Sequence, residues 1–320
     1  MTKRDRVIAA INGKTVDHVP CSFSLHFPKE KAFGEAGIKS HLDFFSETDT
    51  DILKIMNENL VPSCGSIITG DDYCNRIKPV TLHSPFMQEQ IQFTKEILDK
   101  ADPTAFSIGT LHGTTASCIH PLEKMGMPYG EARIFLVEML RKKPKEGLAA
   151  MQRIVDGMCE LAQGYIAAGL DGVYFASLGA EKRYFTDEEF AEWIAPLDMQ
   201  IMQAVKDANG YCFLHMCKDG LEMERYRNYA PLADVVNWGV FEAPLSLEEG
   251  RRLFPGKTIL GGLPNRSGVL VDGSDNQIKK AVKDIIKTFS GKGIIVGADC
   301  TLATEQDMHK LHVAVEACRK

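Results

Sequence analysis

Gly172-Val173-Tyr174-Phe175-Ala176-Ser177, the four residues Thr186-Asp187-Glu188-Glu189 and the run Tyr211-Cys212-Phe213-Leu214-His215 together decide how this chain is read. The first and last are short, apolar and rich in aromatic or β-branched residues, the pattern of strands buried on both faces. Between them lies a capping box. The Thr186 hydroxyl and the Glu189 carboxylate can each satisfy a backbone N–H that a helix start leaves free. Asn209-Gly210, tolerant of a left-handed backbone, ends that helix just before the next strand. Strand, helix and strand in this order make the unit that places two strands parallel.

The same unit recurs outward in both directions. Strands are predicted at Pro20 to Leu25, Ile52 to Met56, Phe106 to Leu111, Gly172 to Ser177, Tyr211 to His215, Asp234 to Trp238, Thr258 to Gly262 and Gly293 to Gly297. Pro85 after Ser84, and Pro144, suit the first turns of helices, Gly169 suits a helix end, and Ser246-Leu247-Glu248-Glu249 is a second capping box. Eight strands separated by helices over 320 residues match the usual size of a closed (β/α)8 TIM barrel of the α/β class, with an N-terminal helical extension at Lys3 to Ile11. An open doubly wound sheet is the alternative, because the early strands are weakly marked. No linker rich in Pro, Gly or Ser divides the chain, so residues 1–320 are read as one domain.

A hydrophobic fraction of 44% supports a substantial core, and a net charge of -6 with interspersed signs offers no basic stripe. Nucleic acid is therefore not an expected partner. The charged start Met1-Thr2-Lys3-Arg4-Asp5-Arg6 lacks a signal peptide's apolar stretch, and no apolar run approaches the roughly 20 residues of a membrane span. A cytoplasmic protein is expected. Its nine cysteines, at irregular spacing, should be reduced in that compartment, with Cys21, Cys159 and Cys212 as inert thiols in apolar stretches.

Chemistry concentrates at His215 and Cys217. Two residues apart at a strand end, they share one face, and Cys300, in Val296-Gly297-Ala298-Asp299-Cys300, is placed by the barrel reading at the end of the last strand. One imidazole and two thiolates suit zinc and leave a fourth position for water, a carboxylate or a substrate. Zinc in such a site could stabilise a substrate thiolate or act as a Lewis acid on an oxygen. On spacing alone, a satisfied core histidine and two ordinary buried thiols explain these residues as well.

His215-Met216-Cys217 and Gly297-Ala298-Asp299-Cys300-Thr301-Leu302-Ala303-Thr304 resemble the zinc motif of cobamide-dependent methyltransferases in the uroporphyrinogen decarboxylase superfamily. The likeness extends more weakly through Asp17-His18-Val19-Pro20 and through Phe185 to Pro196. It implies a (β/α)8 barrel, zinc held by His215, Cys217 and Cys300, and transfer of a methyl group between a small methylated substrate or thiol acceptor and a corrinoid (cobalamin) on a corrinoid-binding partner protein. Departures are visible too. Decarboxylases of the superfamily carry paired arginines after the first strand, where this chain has Cys21-Ser22-Phe23-Ser24-Leu25-His26-Phe27-Pro28-Lys29, and the aspartate after their fourth strand is missing from Tyr174 to Leu178. Without those arginines a many-carboxylate tetrapyrrole lacks counter-charges, so decarboxylation is the secondary reading. Coenzyme M methyltransferases usually place glycine after His-x-Cys, whereas Lys218-Asp219-Gly220 follows here. A third reading is a non-catalytic corrinoid- or tetrapyrrole-binding protein.

Other strand ends supply further candidates. His112 and His120 bracket a polar loop, Gly113 to Cys118; Tyr174 and Trp238 could line a pocket for a planar substrate or corrin ring, with Asn237 offering a donor and an acceptor. Glu181 or Asp299 could be the fourth zinc ligand. Glu181 reads otherwise as part of a solvated cluster with Lys182 and Arg183, and Asp299 as a carboxylate orienting His215 through its second ring nitrogen. Arg266 defaults to the surface. A homodimer is compatible with the sequence.

Overall fold

The computed structural model describes residues 1–62 and 65–319, which leaves Cys64 outside the described residues. All eight expected strands form and run parallel: β1 (Cys21–Ser22), β2 (Ile52–Ile55), β3 (Phe106–His112), β4 (Gly172–Ser177), β5 (Tyr211–Met216), β6 (Val235–Trp238), β7 (Thr258–Leu263) and β8 (Ile294–Ala298). From β2 to β8 each strand pairs with its neighbour in sequence, and β8 returns to pair with β1. That return makes a (β/α)8 barrel and excludes the open sheet. The seam between β1 and β2 is closed by a single backbone bond, Asp51 N–H to the Cys21 carbonyl at 3.1 Å, and by Cys21 N–H donating to Asp51 Oδ2 at 2.9 Å.

β1 is shorter than expected. After Ser22 the chain leaves the ladder: the Ser24 carbonyl accepts from Leu302 N–H at 2.8 Å, Lys54 Nζ donates to Ser24 Oγ at 3.1 Å, and Leu25 rejoins only as an isolated bridge to Leu302. The helix signals hold. Pro85 and Pro144 open Pro85–Leu98 and Pro144–Ala167, both capping boxes form, and Asn209 has φ of 62°.

Alternation along the strands separates two apolar layers. Ile52, Phe106, Ile108, Tyr174, Phe213, Val235, Leu260 and Ile295 point into the barrel, whereas Phe175, Leu214 and Trp238 join the outer core beneath the helices. Helix α1 (Lys3–Ile11) closes the end of the barrel where the strands begin. Its Val7 is fully buried in the inner cluster, Arg4 N–H donates to Thr104 just before β3, and Thr258 at the start of β7 donates through Oγ1 to the Ala10 carbonyl. Arg6 anchors α1 with bonds of 2.7 and 2.9 Å to Asp17 and 2.6 Å to Asp51.

The Arg6 guanidinium holds the Asp17 carboxyl well below its ordinary value of 3.8. A carboxyl depressed in the folded state contributes stability that is complete above the unfolded value and is lost as pH falls toward the folded one. Acidification below about pH 4 should therefore loosen α1, read as faster amide hydrogen exchange at Val7 to Ala10 than in β3; equal protection at pH 3 would contradict this.

Cys21 and Cys212 are buried free thiols as expected, but Cys159 is only half-buried. Among the described residues no helix is long and apolar enough to cross a membrane.

Candidate metal centre

His215 lies on β5 in register with Ala176 of β4 and Asn237 of β6, so its ring shares the inward face with Asn237. Cys217 stands one step past the end of β5, fixed by its N–H bond to the Ser177 carbonyl at 3.1 Å. Cys300 stands two residues past β8. The three residues bring their donor atoms within 4.8 Å of one another at the barrel's C-terminal mouth, with His215 Nε2 3.3 Å from Cys300 Sγ. Ligands about 2.0–2.3 Å from a tetrahedral zinc stand roughly 3.4–3.8 Å apart, so the set fits zinc with movements of an ångström or less.

The thiols are already unequal. A hydrogen bond from Cys217, assisted by His215, holds Cys300 well below the usual thiol range, while that contact and burial push Cys217 well above it. A metal ion bound by both sulfurs would displace the thiol protons.

The ring of His215 stacks on Tyr174, with centroids 5.1 Å apart and planes 25° from parallel. Tyr174 in turn donates its hydroxyl to Asn237 Oδ1 at 2.6 Å, and Asn237 Nδ2 donates to the Leu260 carbonyl at 2.8 Å and the Ala298 carbonyl at 3.3 Å. Asn237 thus ties β4, β7 and β8 behind the histidine. Gly261 permits this approach: its φ is 141°, and a Cβ there would come within 3.3 Å of Asn237 Nδ2. With both ends of its amide engaged, Asn237 supports the site from behind and presents nothing to a ligand.

Trp238 does not line the site. The next residue after an inward Asn237 must face out, and its indole Nε1 donates to Leu245 at 2.9 Å, against Gly250, where an added Cβ would meet the ring at 2.1 Å. Asp299 does not orient His215 either. Its Oδ2 accepts from Phe241 N–H at 3.3 Å, while His215 Nδ1 and Asp299 Oδ1 are buried without hydrogen-bond partners among the described residues. Burial pushes the Asp299 carboxyl up to about 7.

Glu181 is not part of a solvated cluster. Its carboxylate is buried and doubly bonded to Arg133, at 2.7 and 2.6 Å, so it stands outside the group of three donors. The guanidinium of Arg133 lies 3.8 Å over the Tyr184 ring. Glu181 also bridges Leu221, and Glu222 N–H donates to Ala180 at 3.0 Å, so the loops following β4 and β5 are zipped together beside Cys217.

These donors open into a cavity of about 240 Å³ whose walls include Lys54, His112, Tyr174 and Lys218. His112 lies 4.9 Å from His120 in an edge-on ring contact, and burial pushes it down to about 4, leaving it neutral near pH 7. The stretch Gly113 to Cys118, expected as a loop, instead begins the helix Thr114–Glu123, whose first N–H donates to buried Asp198 at 2.8 Å. Lys54 is a site residue that sequence reasoning missed. Its ammonium sits 3.2 Å from the centre of the Tyr174 ring, and burial pushes it down to about 7 against the pull of Cys300 and Cys217. A lysine inside the apolar run Ile52-Leu53-Lys54-Ile55 was the available signal.

A family model described as uroporphyrinogen decarboxylase (URO-D) matches residues 129–320. No curated relative matches the chain. Among solved structures, a methyltransferase from Methanosarcina mazei aligns over 99% of this chain and 98% of its own, with a TM-score of 0.74 at 15% identity. A B12-independent methionine synthase from Shewanella sp. W3-18-1, in complex with selenomethionine, aligns over 94% and 97%, with a TM-score of 0.57 at 12% identity. A putative vitamin-B12-independent methionine synthase from Listeria monocytogenes covers 88% and 84%, with a TM-score of 0.54 at 15% identity. At such identities these likenesses show a shared barrel and nothing finer.

Proposed function

Because the chain belongs to the uroporphyrinogen decarboxylase family, we propose that it is a methyltransferase-type member, one that moves a methyl group between a small methylated substrate or thiol and a corrinoid on a partner protein. The observation that carries the proposal is the convergence of His215, Cys217 and Cys300 within 4.8 Å at the mouth of the barrel. These residues would hold zinc, which when bound supplies a Lewis acid able to stabilise a thiolate or polarise an oxygen at neutral pH. The chain does the rest. Tyr174 and Asn237 hold the imidazole in place, the zipped loops beside Glu181 hold Cys217, and Met56, Ile119 and Leu178 give the cavity apolar walls that limit water around a reacting group.

A cavity of about 240 Å³ lies below the roughly 300–1,000 Å³ of drug-sized sites and suits a small substrate. Its cationic side chains are lysines, so the paired arginines expected of a tetrapyrrole decarboxylase are lacking here as well.

Metal analysis of the purified protein should give about one zinc per chain, a stoichiometry set by one three-ligand site. Zinc-loaded protein should change the visible spectrum of a methylated corrinoid in the presence of a thiol, and chelation should stop that change. A protein that neither carries zinc nor takes it up would overturn the proposal.

A further inference from the structure

A second cavity, of about 810 Å³, lies between the helices Gly34–Thr48 and Pro85–Leu98, beside the residues that follow β2. Met56 divides it from the cavity of the metal donors: it lines both, and its N–H donates to His41 Nε2 at 2.9 Å. The volume falls within the roughly 300–1,000 Å³ of small-molecule sites. Phe33, Ile38 and Phe93 give apolar walls, and Phe33 remains 45% exposed. Those walls close in at Gly37, where an added Cβ would meet the Ala32 carbonyl at 2.8 Å and Phe93 Cε2 at 3.1 Å.

The polar groups of this cavity are unmatched. Four carboxylates line it, those of Glu35, Glu58, Glu89 and Glu96, and among the described residues no lysine or arginine does so. Glu58 meets His26 Nδ1 at 2.8 Å, and Glu96 accepts from the neutral Gln92 amide at 2.8 Å. Among the described residues Glu89 has neither an ion pair nor a hydrogen bond through its carboxylate. Glu89, Phe93 and Glu96 are spaced i, i+4 and i+7 on one helix, so two carboxylates without a cation flank the Phe93 ring on one face.

Gln90 adds a donor. It lines the cavity and is only 6% exposed; its Oε1 accepts from the Tyr165 hydroxyl at 3.3 Å, and its Nε2 has no hydrogen-bond partner among the described residues. The two ends of an amide diverge, so holding Oε1 on a core hydroxyl leaves Nε2 on the cavity side. A donor buried to this degree is costly without an acceptor.

We propose that this cavity is a second ligand site, for a small organic cation. An aromatic or branched apolar group of the ligand rests on Phe33, Ile38 and Phe93, a carbonyl accepts from Gln90 Nε2, and an ammonium or guanidinium pairs with Glu89 or Glu96 beside the ring. The site requires neither zinc nor the reaction proposed above.

The test is calorimetric titration of the full chain, at low salt, with benzoyl-arginine amide and with its uncharged isostere, benzoyl-citrulline amide. A charge-assisted bond to a carboxylate should make the arginine compound bind about tenfold more tightly. The double variant E89Q/E96Q should remove that preference, F33A should weaken both compounds alike, and chelation of metal should change neither affinity. Glu89 and Phe33 are exposed and Glu96 is half-buried, so these variants should keep the circular dichroism of the parent. Equal affinity for the two compounds in the parent protein, no binding of either at millimolar concentration, or a preference that survives in E89Q/E96Q would overturn the inference and leave the metal reading untouched.

Discussion

Cys300→Ser should leave the protein folded but abolish the proposed zinc binding and methyl transfer. A serine hydroxyl in place of a thiolate gives up the softer, more easily ionised ligand, and the remaining imidazole and single sulfur are too few for a stable zinc site. Changes to groups that merely buttress metal ligands already cost about 10–100-fold, so losing a ligand should lower the rate by more than about a hundredfold. The same holds for Cys217→Ser. Neither sulfur belongs to the apolar core, since both stand at the ends of strands and are half-buried, so circular dichroism should be unchanged. Metal analysis alongside the rate is the check: full zinc and full activity in both variants would remove the centre proposed here.

Arg133→Met should cause the largest loss of stability. Arg133 and Glu181 are each only 2% exposed at the side chain, and their two bonds of 2.7 and 2.6 Å satisfy both oxygens of the carboxylate. Removing the guanidinium leaves the buried carboxylate with only the Gly179 N–H at 3.3 Å and the more distant Arg183 guanidinium at 3.6 Å, at a cost of about 3–5 kcal/mol. For a chain of this size that is a fall in melting temperature on the order of 10 °C. Arg133→Met combined with Glu181→Leu should recover much of the loss, because burying two ions is itself expensive. A single variant melting within a degree of the parent would show that the pair is already compensated by water. The damage should reach the metal as well, since Glu181 bridges Leu221 across the loop that carries Cys217.

The fold was legible because its strands are buried runs with helix punctuation between them, and β2 to β8 fall within two residues of expectation at either end. β1 was overestimated: an apolar run does not reveal that Ser24 turns away to meet Lys54 and Leu302. Periodicity and the rule that barrel sites gather at strand ends brought the three donors together, but spacing alone fitted buried core residues as well, and the resemblance tipped the reading toward a metal site. That same periodicity also held a correction, for Asn237 and Trp238 are adjacent on one strand and could not both face the cavity. Glu181 was misread because a run of charges looks solvated, and nothing local shows that Arg133, 48 residues earlier, will cover it. Lys218 looked like a departure from a motif; it lines a cavity that only the assembled barrel encloses.

The helix α1, packed through Val7 into the inner apolar cluster and bonded at Thr104 and Thr258, has a kinetic consequence. A barrel stoppered at one end is a cup, and everything that reacts at His215, Cys217 and Cys300 enters and leaves through one rim. A bulky carrier seated on that rim blocks the traffic of small molecules beneath it. Steady-state rates under the proposed reaction should therefore show a compulsory order, with the small reactant aboard before the carrier lands and its product released only after the carrier departs.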